Sequence, residues 1–260
     1  MSWRRQALVR PPSAAYARCI REDASRPIDV ARALAQHVAY CEALRACGCD
    51  VVALPPEADL PDACFVEDTA VVAGGVAVMT RPGAPARAPE VASVRPHIAP
   101  RIPCRDIARG RLDGGDVLVV GRLAFVGLSA RTDEQGASAL GEVLAEVGVE
   151  VRTVPIAGLL HLKTGATAIG ERRVLMRRGA FPAGTFGDLD VVETDEPYGS
   201  TVLAIDDRVI VSTAAPRTAR RLDVLGFKVL PVDITEFHAG DAGVTCLSIV
   251  LGDHGEIACR

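Results

Sequence analysis

Apolar residues in this chain come in paired short runs. Thr69 to Thr80 reads TAVVAGGVAVMT, two apolar stretches either side of Gly74-Gly75, which is the pattern of a β-hairpin. The figure recurs at Asp116 to Leu128 (DVLVVGRLAFVGL, turning near Gly121-Arg122), Gly165 to Arg177 (GATAIGERRVLMR, turning at Gly170-Glu171) and Ser200 to Ser212 (STVLAIDDRVIVS, turning at Asp206-Asp207). A fifth copy is expected at Thr245 to Cys259, turning through Gly252 to Gly255. The turns recur about every 35 to 50 residues, a spacing that signals a repeat architecture.

Between the hairpins a second theme repeats. Asp133 to Val147 has apolar residues every three or four positions (Ala139, Leu140, Val143, Leu144, Val147), predicting an amphipathic helix, and a strand follows at Val149 to Val154. Arg217 to Leu225, ended by Gly226, precedes a strand at Lys228 to Val232. Pro89 to Ile98 is a weaker helix broken by Pro96, with a strand at Arg101 to Cys104; the stretch after Arg178 is rich in Gly and Pro and predicts no firm helix. Met1 to Arg26 reads as irregular. Asp29 caps a helix through Val30, Leu34, Val38, Cys41 and Leu44, and a strand follows at Val51 to Leu54. The last hairpin lacks a helix after it, and the N-terminal helix and strand lack a hairpin before them. The two ends complete one unit, so the expected fold is a single α/β domain over 1–260, a five-bladed α/β propeller with pseudo-fivefold repeats.

Composition narrows what this ring can do. The chain is 260 residues long, 49% hydrophobic and 24% charged, with a net charge of −4 and only 4% aromatics. It has neither the cationic stripe nor the stacking residues of a nucleic-acid binder, so no nucleic-acid partner is expected. No apolar run reaches the roughly 18 residues of a membrane span, and Met1 to Pro12 has no apolar core of a secretory signal. The eight cysteines show no paired metal-ligand spacing. A reduced, cytoplasmic location is the economical expectation, with most of these thiols acting as small buried hydrophobes.

Candidate chemistry falls at one phase of the repeat, just before each hairpin. The first such loop carries Asp62, Glu67 and Asp68, the second Asp113 and Asp116, the third His161, and the fifth Asp241 to Cys246. Glu196-Pro-Tyr198-Gly199 of the fourth is less informative. In a ring of like units these loops meet at one end near the axis. A Cys, a His and an acid in one cleft are a nucleophile, a proton carrier and an orienting group. Taken singly, a cysteine is more often packing and a loop aspartate more often turn chemistry; the shared phase reverses that for Cys246 and His161. One of Asp113 and Asp116 is expected in the site and the other in backbone hydrogen bonding. Glu67-Asp68 ahead of an apolar strand is costly to bury unpaired, so either a cationic ligand or a buried ion pair with arginine is implied. A zinc site on Cys246, His161 and carboxylates lacks a close-spaced ligand pair, and Gly114-Gly115 lacks a phosphate-loop pattern.

Leu60-Pro-Asp62, Phe65-Val-Glu67-Asp68, Thr80-Arg-Pro-Gly-Ala-Pro85, Leu112-Asp-Gly-Gly-Asp-Val117, Phe125 to Thr132, Leu160-His-Leu-Lys163 and Thr245-Cys246 together resemble the dimethylarginine dimethylaminohydrolase family of the pentein superfamily, in order from about residue 20 to the C-terminus. Penteins are five-bladed α/β propellers. The resemblance implies hydrolysis of asymmetric dimethylarginine and monomethylarginine to citrulline and dimethylamine or methylamine. It implies Cys246 as nucleophile, His161 as general acid/base, and Asp113 as the acid that orients the histidine or binds the guanidinium. Glu67 and Asp68 match the guanidinium-side acids, Asp62 a substrate-binding acid suited to the α-amino group, and Arg87 and Arg131 carboxylate clamps. Ile20, in a lid, and Gly240 match backbone contacts to substrate. The chemistry requires no metal or organic cofactor, and zinc bridging Cys246 and His161 would inhibit it. The expected partner is a small methylated arginine, and the expected assembly is a monomer or homodimer. Two alternatives stand beside this reading: another guanidine-modifying pentein, such as an arginine deiminase or amidinotransferase, and a non-catalytic five-bladed binding protein.

Overall fold

A computed structural model describes residues 5–252. Strand β1 (Gln6–Val9) opens the chain, followed by helix α1 (Val30–Ala46) and β2 (Asp50–Ala53). Then come β3 (Ala70–Ala73), β4 (Val76–Met79), helix α2 (Ala88–Ile98) and β5 (Cys104–Asp106). The next unit is β6 (Val117–Val120), β7 (Leu123–Leu128), α3 (Glu134–Ala145) and β8 (Glu150–Pro155). A one-turn helix, α4 (Leu162–Gly165), leads into β9 (Ala166–Ala168), β10 (Arg173–Arg177) and β11 (Asp190–Thr194). The last elements are β12 (Leu203–Ile205), β13 (Arg208–Ser212), α5 (Pro216–Val224), β14 (Lys228–Val232), the short α6 (Thr235–His238) and β15 (Ile249–Leu251).

These strands form five three-stranded sheets. In each, a central strand pairs antiparallel with the strand before it in the repeat and parallel with the one after, as β4 does with β3 and β5. The hairpins, being local, lie where the sequence pattern puts them. The fifth unit differs from expectation. Residues Gln6–Val9, read from sequence as irregular, are its central strand, antiparallel to β15 and parallel to β2. The expected turn at Gly252 to Gly255 and the strand beyond it fall largely outside the described residues. The ring is thus closed by the N-terminal strand.

The core explains why the central strands are apolar at every position rather than at alternate ones. Each lies between two neighbouring blades and sends successive side chains to opposite sides. On β4, Val76 and Val78 enter the core shared with the second blade, whereas Ala77 and Met79 enter the core shared with the fifth. On β10, Val174 and Met176 face the second blade and Leu175 faces the fourth. On β1, Ala7 and Val9 pack with Ile210 and Val232, and Leu8 packs with Val72 and Ile98. Five such clusters, one per junction, hold the ring.

The helices follow their caps. Asp29 accepts the Arg32 N–H at 3.0 Å at the start of α1, and Asp133 accepts the Gly136 N–H at 2.9 Å at the start of α3. The α1 face expected from spacing is partly rotated: Cys41 and Leu44 are buried as expected, but Leu34 and Val38 are exposed and Ala33, His37 and Tyr40 are buried in their stead. The cause is the partner it meets: Gln36 bonds Thr235 Oγ1 and the Glu236 N–H on α6. Pro96 sits inside α2 without ending it. No helix spans Gly179 to Leu189, where Phe186 packs edge-on against both Phe181 and Phe125 and fills the helix's place.

Candidate active site

The pre-hairpin loops meet in one cavity. Asp62, Glu67, Asp68, His161 and Cys246 line it, as do Ile20, Arg87, Arg131 and Gly240; Asp113 is buried directly behind His161. Asp116 faces away from this group.

Two glycines make that convergence possible by having no side chain. A Cβ on Gly114 would sit 2.1 Å from the Glu67 carbonyl oxygen, and one on Gly115 would sit 2.6 Å from His161 Nδ1 and 2.7 Å from Asp68 Oδ1. The turn at Asp113-Gly-Gly-Asp116 also separates its two acids. The His161 Nε2–H donates to Asp113 Oδ2 at 3.0 Å, while Asp113 Oδ1 accepts the Gly83 N–H at 2.7 Å. Asp116 instead accepts the Leu162 N–H at 2.9 Å and the Ser129 hydroxyl at 2.6 Å, fixing the loop that carries His161. Asp113 therefore orients the imidazole, and Asp116 does the backbone work.

The remaining imidazole nitrogen, Nδ1, lies 3.9 Å from Asp68 Oδ1. Burial opposes a charge on His161, but Asp68, Asp113 and Asp116 outweigh it and raise its pKa above the ordinary value. Asp68 is held below the usual carboxylate range: burial disfavours its charge, but His161, Arg87 and the Gly115 N–H more than compensate. The resting pair is imidazolium and carboxylate.

Two of the first loop's three acids are in ion pairs, Asp68 in a buried one and Glu67 in a partly buried one. Glu67 accepts Lys163 Nζ at 2.6 Å and the Thr245 hydroxyl at 2.9 Å; Lys163 was not expected from sequence, although it stands two residues from His161. Arg87 binds Asp68, chelates Glu90 and donates to the Phe65 carbonyl at 3.0 Å. All three of its guanidinium nitrogens thus bond to the protein, and Glu90 is a partner the sequence did not single out. Arg131 is freer, with Nη1 3.7 Å from Asp113 Oδ2.

Cys246 lies on a short 3-10 turn, Thr245–Leu247, and its Sγ accepts the Gly243 N–H at 3.4 Å. Burial, Glu67 and Asp68 push its thiol up to about 12, against the opposing pull of Gly243 N–H and Lys163. These surroundings favour the neutral thiol. Across the mouth lies the N-terminal segment: the Ile20 N–H donates to Asp62 at 3.1 Å, and the Glu22 N–H donates to Asp241 Oδ2 at 2.6 Å. Gly240 packs where a Cβ would strike the Tyr16 hydroxyl at 2.6 Å. Ligand atoms of Asp68, Asp113 and His161 lie within 4.8 Å of one another, a spacing compatible with a cation, but each of the three already has a protein partner. Among the described residues no helix is long and apolar enough to cross a membrane.

Known proteins resemble this chain in sequence and in fold. Residues 57–180 match the family model described as arginine deiminase. A dimethylarginine dimethylaminohydrolase of Pseudomonas aeruginosa is 35% identical over 227 residues, 85% of this chain and 89% of that protein. One from Streptomyces coelicolor is 36% identical over 251 residues, 95% of this chain and 97% of that protein. The solved Pseudomonas aeruginosa enzyme, as a cysteine-to-serine mutant complexed with citrulline, superposes with a TM-score of 0.91 at 30% identity, covering 95% of this chain and 99% of that one. With the five-bladed ring, these similarities establish that the chain belongs to the dimethylarginine dimethylaminohydrolase family of guanidine-modifying penteins.

Proposed function

We propose that this protein hydrolyses Nω-methylated arginines, asymmetric dimethylarginine and monomethylarginine, to citrulline and the corresponding amine. The observation that carries the reading is one cavity containing a thiol, an imidazolium locked by Asp113, and buried acids. An arginine side chain enters with its guanidinium toward Cys246, His161 and Asp68. Its α-amino group lies toward Asp62 and its carboxylate toward Arg131. Arg87, paired with Asp68 and Glu90, acts by holding Asp68 ionised.

The reaction follows from the resting charges. Entry of a cation beside the buried thiol favours loss of its proton to solvent, because the field that raised it is now partly neutralised. The thiolate attacks the guanidinium carbon and forms a C–S bond. His161, holding a proton on Nδ1, delivers it to the departing methylated nitrogen, since an amine leaves badly as an anion. The C–N bond breaks and leaves a covalent alkylthiouronium. Neutral His161 then takes a proton from water as the water attacks the same carbon, the C–S bond breaks, the second water proton passes to solvent, and citrulline and thiolate remain. Water is the only co-reactant.

The match to the arginine deiminase model over residues 57–180 favours a second reading, hydrolysis of unmethylated arginine to citrulline and ammonia. An assay of citrulline from dimethylarginine, monomethylarginine and arginine side by side separates them. Turnover of arginine alone overturns the first. Cys246→Ser should lower turnover by at least about a thousandfold; activity that survives it overturns the covalent route.

A further inference from the structure

The fourth pre-hairpin loop is the one whose part in the site the proposed reaction leaves unassigned. Its Tyr198 lines the same cavity as Cys246 and His161. The residue has φ 58°, a backbone region that suits glycine or asparagine and that a bulky side chain rarely occupies. Three non-glycine residues among those described have positive φ, and two of them, Tyr198 and Asp241, line this cavity. An aromatic ring kept where the backbone would favour glycine needs a reason.

The loop is held so that the ring has one position. One face stacks on His238, with centroids 3.6 Å apart and planes at 14°. His238 is itself fixed from both nitrogens, Nε2 to the Ser212 hydroxyl at 2.7 Å and Nδ1 to the Ala242 carbonyl at 2.9 Å. The Tyr198 carbonyl accepts the Thr201 hydroxyl at 2.9 Å. Thr201 in turn abuts Gly243, where a Cβ would meet it at 2.5 Å, and the Gly243 N–H bonds the Cys246 sulfur. The ring is thus braced against the turn that carries the nucleophile, with its second face left uncovered by His238.

Tyr198 does not stand alone. Eight large hydrophobic residues are exposed among those described; three of them, Ile20, Leu160 and Tyr198, sit around this one cavity. They come from three separate loops. Each is more than a third exposed, so they stand outward of His161 and Asp68, which are buried. A substrate with charge at both ends and methylenes between needs apolar surface outward of the reacting end.

We propose that Tyr198 is a substrate-contacting specificity residue whose free face, with Leu160 and Ile20, forms an apolar collar around the aliphatic stem of an arginine-type ligand. The inference rests on the guanidine-substrate reading above. The stem is the same whatever the methylation, so the collar sets affinity for the chain and leaves the reacting carbon alone. A collar of this kind also accounts for exposed apolar surface around an otherwise charged pocket.

The test is binding of dimethylarginine, monomethylarginine and arginine, by calorimetry, to Cys246→Ser and to the same chain carrying Tyr198→Gly or Tyr198→Phe. Tyr198→Gly should weaken all three ligands by about tenfold while leaving the melting temperature equal or higher, because glycine relieves the positive φ. Tyr198→Phe, which keeps the ring, should restore affinity to within about twofold. In the active enzyme, Tyr198→Gly should raise KM with kcat nearly unchanged. Unaltered affinity in Tyr198→Gly overturns the collar, and so does a loss confined to the dimethylated ligand, which would put the ring at the methyl groups. If the wild type makes no citrulline yet Cys246→Ser binds the three ligands, the hydrolase reading fails and the collar is still decided by the binding series. If Cys246→Ser binds none of them, both fail.

Discussion

The pre-hairpin loops of the first and fourth blades hold the same place in the repeat and solve opposite problems. The first brings three carboxylates out of water: Asp62 and Asp68 are buried, and each acid is matched to a donor, Asp62 to the Ile20 N–H, Glu67 to Lys163 and Asp68 to Arg87. Loop four has one buried acid, Glu196, and turns it away from the cavity to cap α5, where it accepts the Arg217 N–H at 2.9 Å and the Thr218 N–H. What it offers the cavity is an uncharged ring. On the proposed function the first loop fixes where the substrate's cation settles, and on the proposed collar the fourth shapes the apolar wall beside it. Equivalent backbone geometry therefore does not imply equivalent chemistry; the partner across the cavity decides it.

The widest test of that contrast is on the catalytic side. Asp113→Asn should lower kcat by about a hundredfold or more, because the amide no longer stabilises the imidazolium. Asp116→Asn should instead cost about 1–3 kcal/mol of stability by weakening the hold on the Leu162 N–H, with the larger change in melting temperature than in kcat. Equal effects on kcat would break the division of labour between these two acids.

The buried pairs of the first loop come next. Arg87→Leu leaves Asp68 and Glu90 without their common cation and should destabilise by about 3–5 kcal/mol, read as a fall in denaturant midpoint. A small change in stability with a large rise in KM would mean that Arg87 serves the ligand's carboxylate instead. The companion measurement is an NMR titration of His161. Its midpoint should lie above the ordinary value of about 6.5 and move down in Asp113→Asn. The sign for stability follows: a raised histidine contributes fully below about pH 6.5 and loses that contribution as pH climbs through its folded value. A midpoint at or below 6.5 removes the imidazolium from the resting site.

Smaller effects sharpen the other side. Iodoacetamide should alkylate Cys246 at pH 7 at least about a hundredfold more slowly than an unperturbed thiol, since a thiol pushed up to about 12 holds almost no thiolate; peptide mass spectrometry reads this. Glu196→Ala should cost about 1 kcal/mol through the lost cap on α5 without shifting the pH profile of turnover. A shifted profile would give the fourth loop an electrostatic role that its geometry does not predict.

Much of this molecule was readable in advance because the readable parts are local. A hairpin is two apolar runs and a turn a few residues apart, so β3–β4, β6–β7, β9–β10 and β12–β13 stand where the pattern put them. The phase argument brought His161, Asp68 and Cys246 together without any distance, because a ring of like units superposes its loops. The sequence could not show what depends on contacts across the ring. Gln6–Val9 is four residues in an Arg- and Pro-rich stretch, and it is a strand only because β15, more than 230 residues later, and β2 supply its hydrogen bonds. The apolar pattern of α1 pointed to Leu34 and Val38, but the buried face was settled by α6. Asp113 and Asp116 have equal standing in the sequence; the turn between them sends one carboxylate to His161 and the other to a backbone amide. Tyr198 looks ordinary until its φ and its stack on His238 are seen together. The repeat, the four hairpins and the residue types gathered at one end could be read from the chain alone, since they follow from periodicity and connectivity. Which acid meets which cation and which face stays open came only with the folded ring, since charge pairing and burial depend on neighbours that the chain brings together when the ring closes.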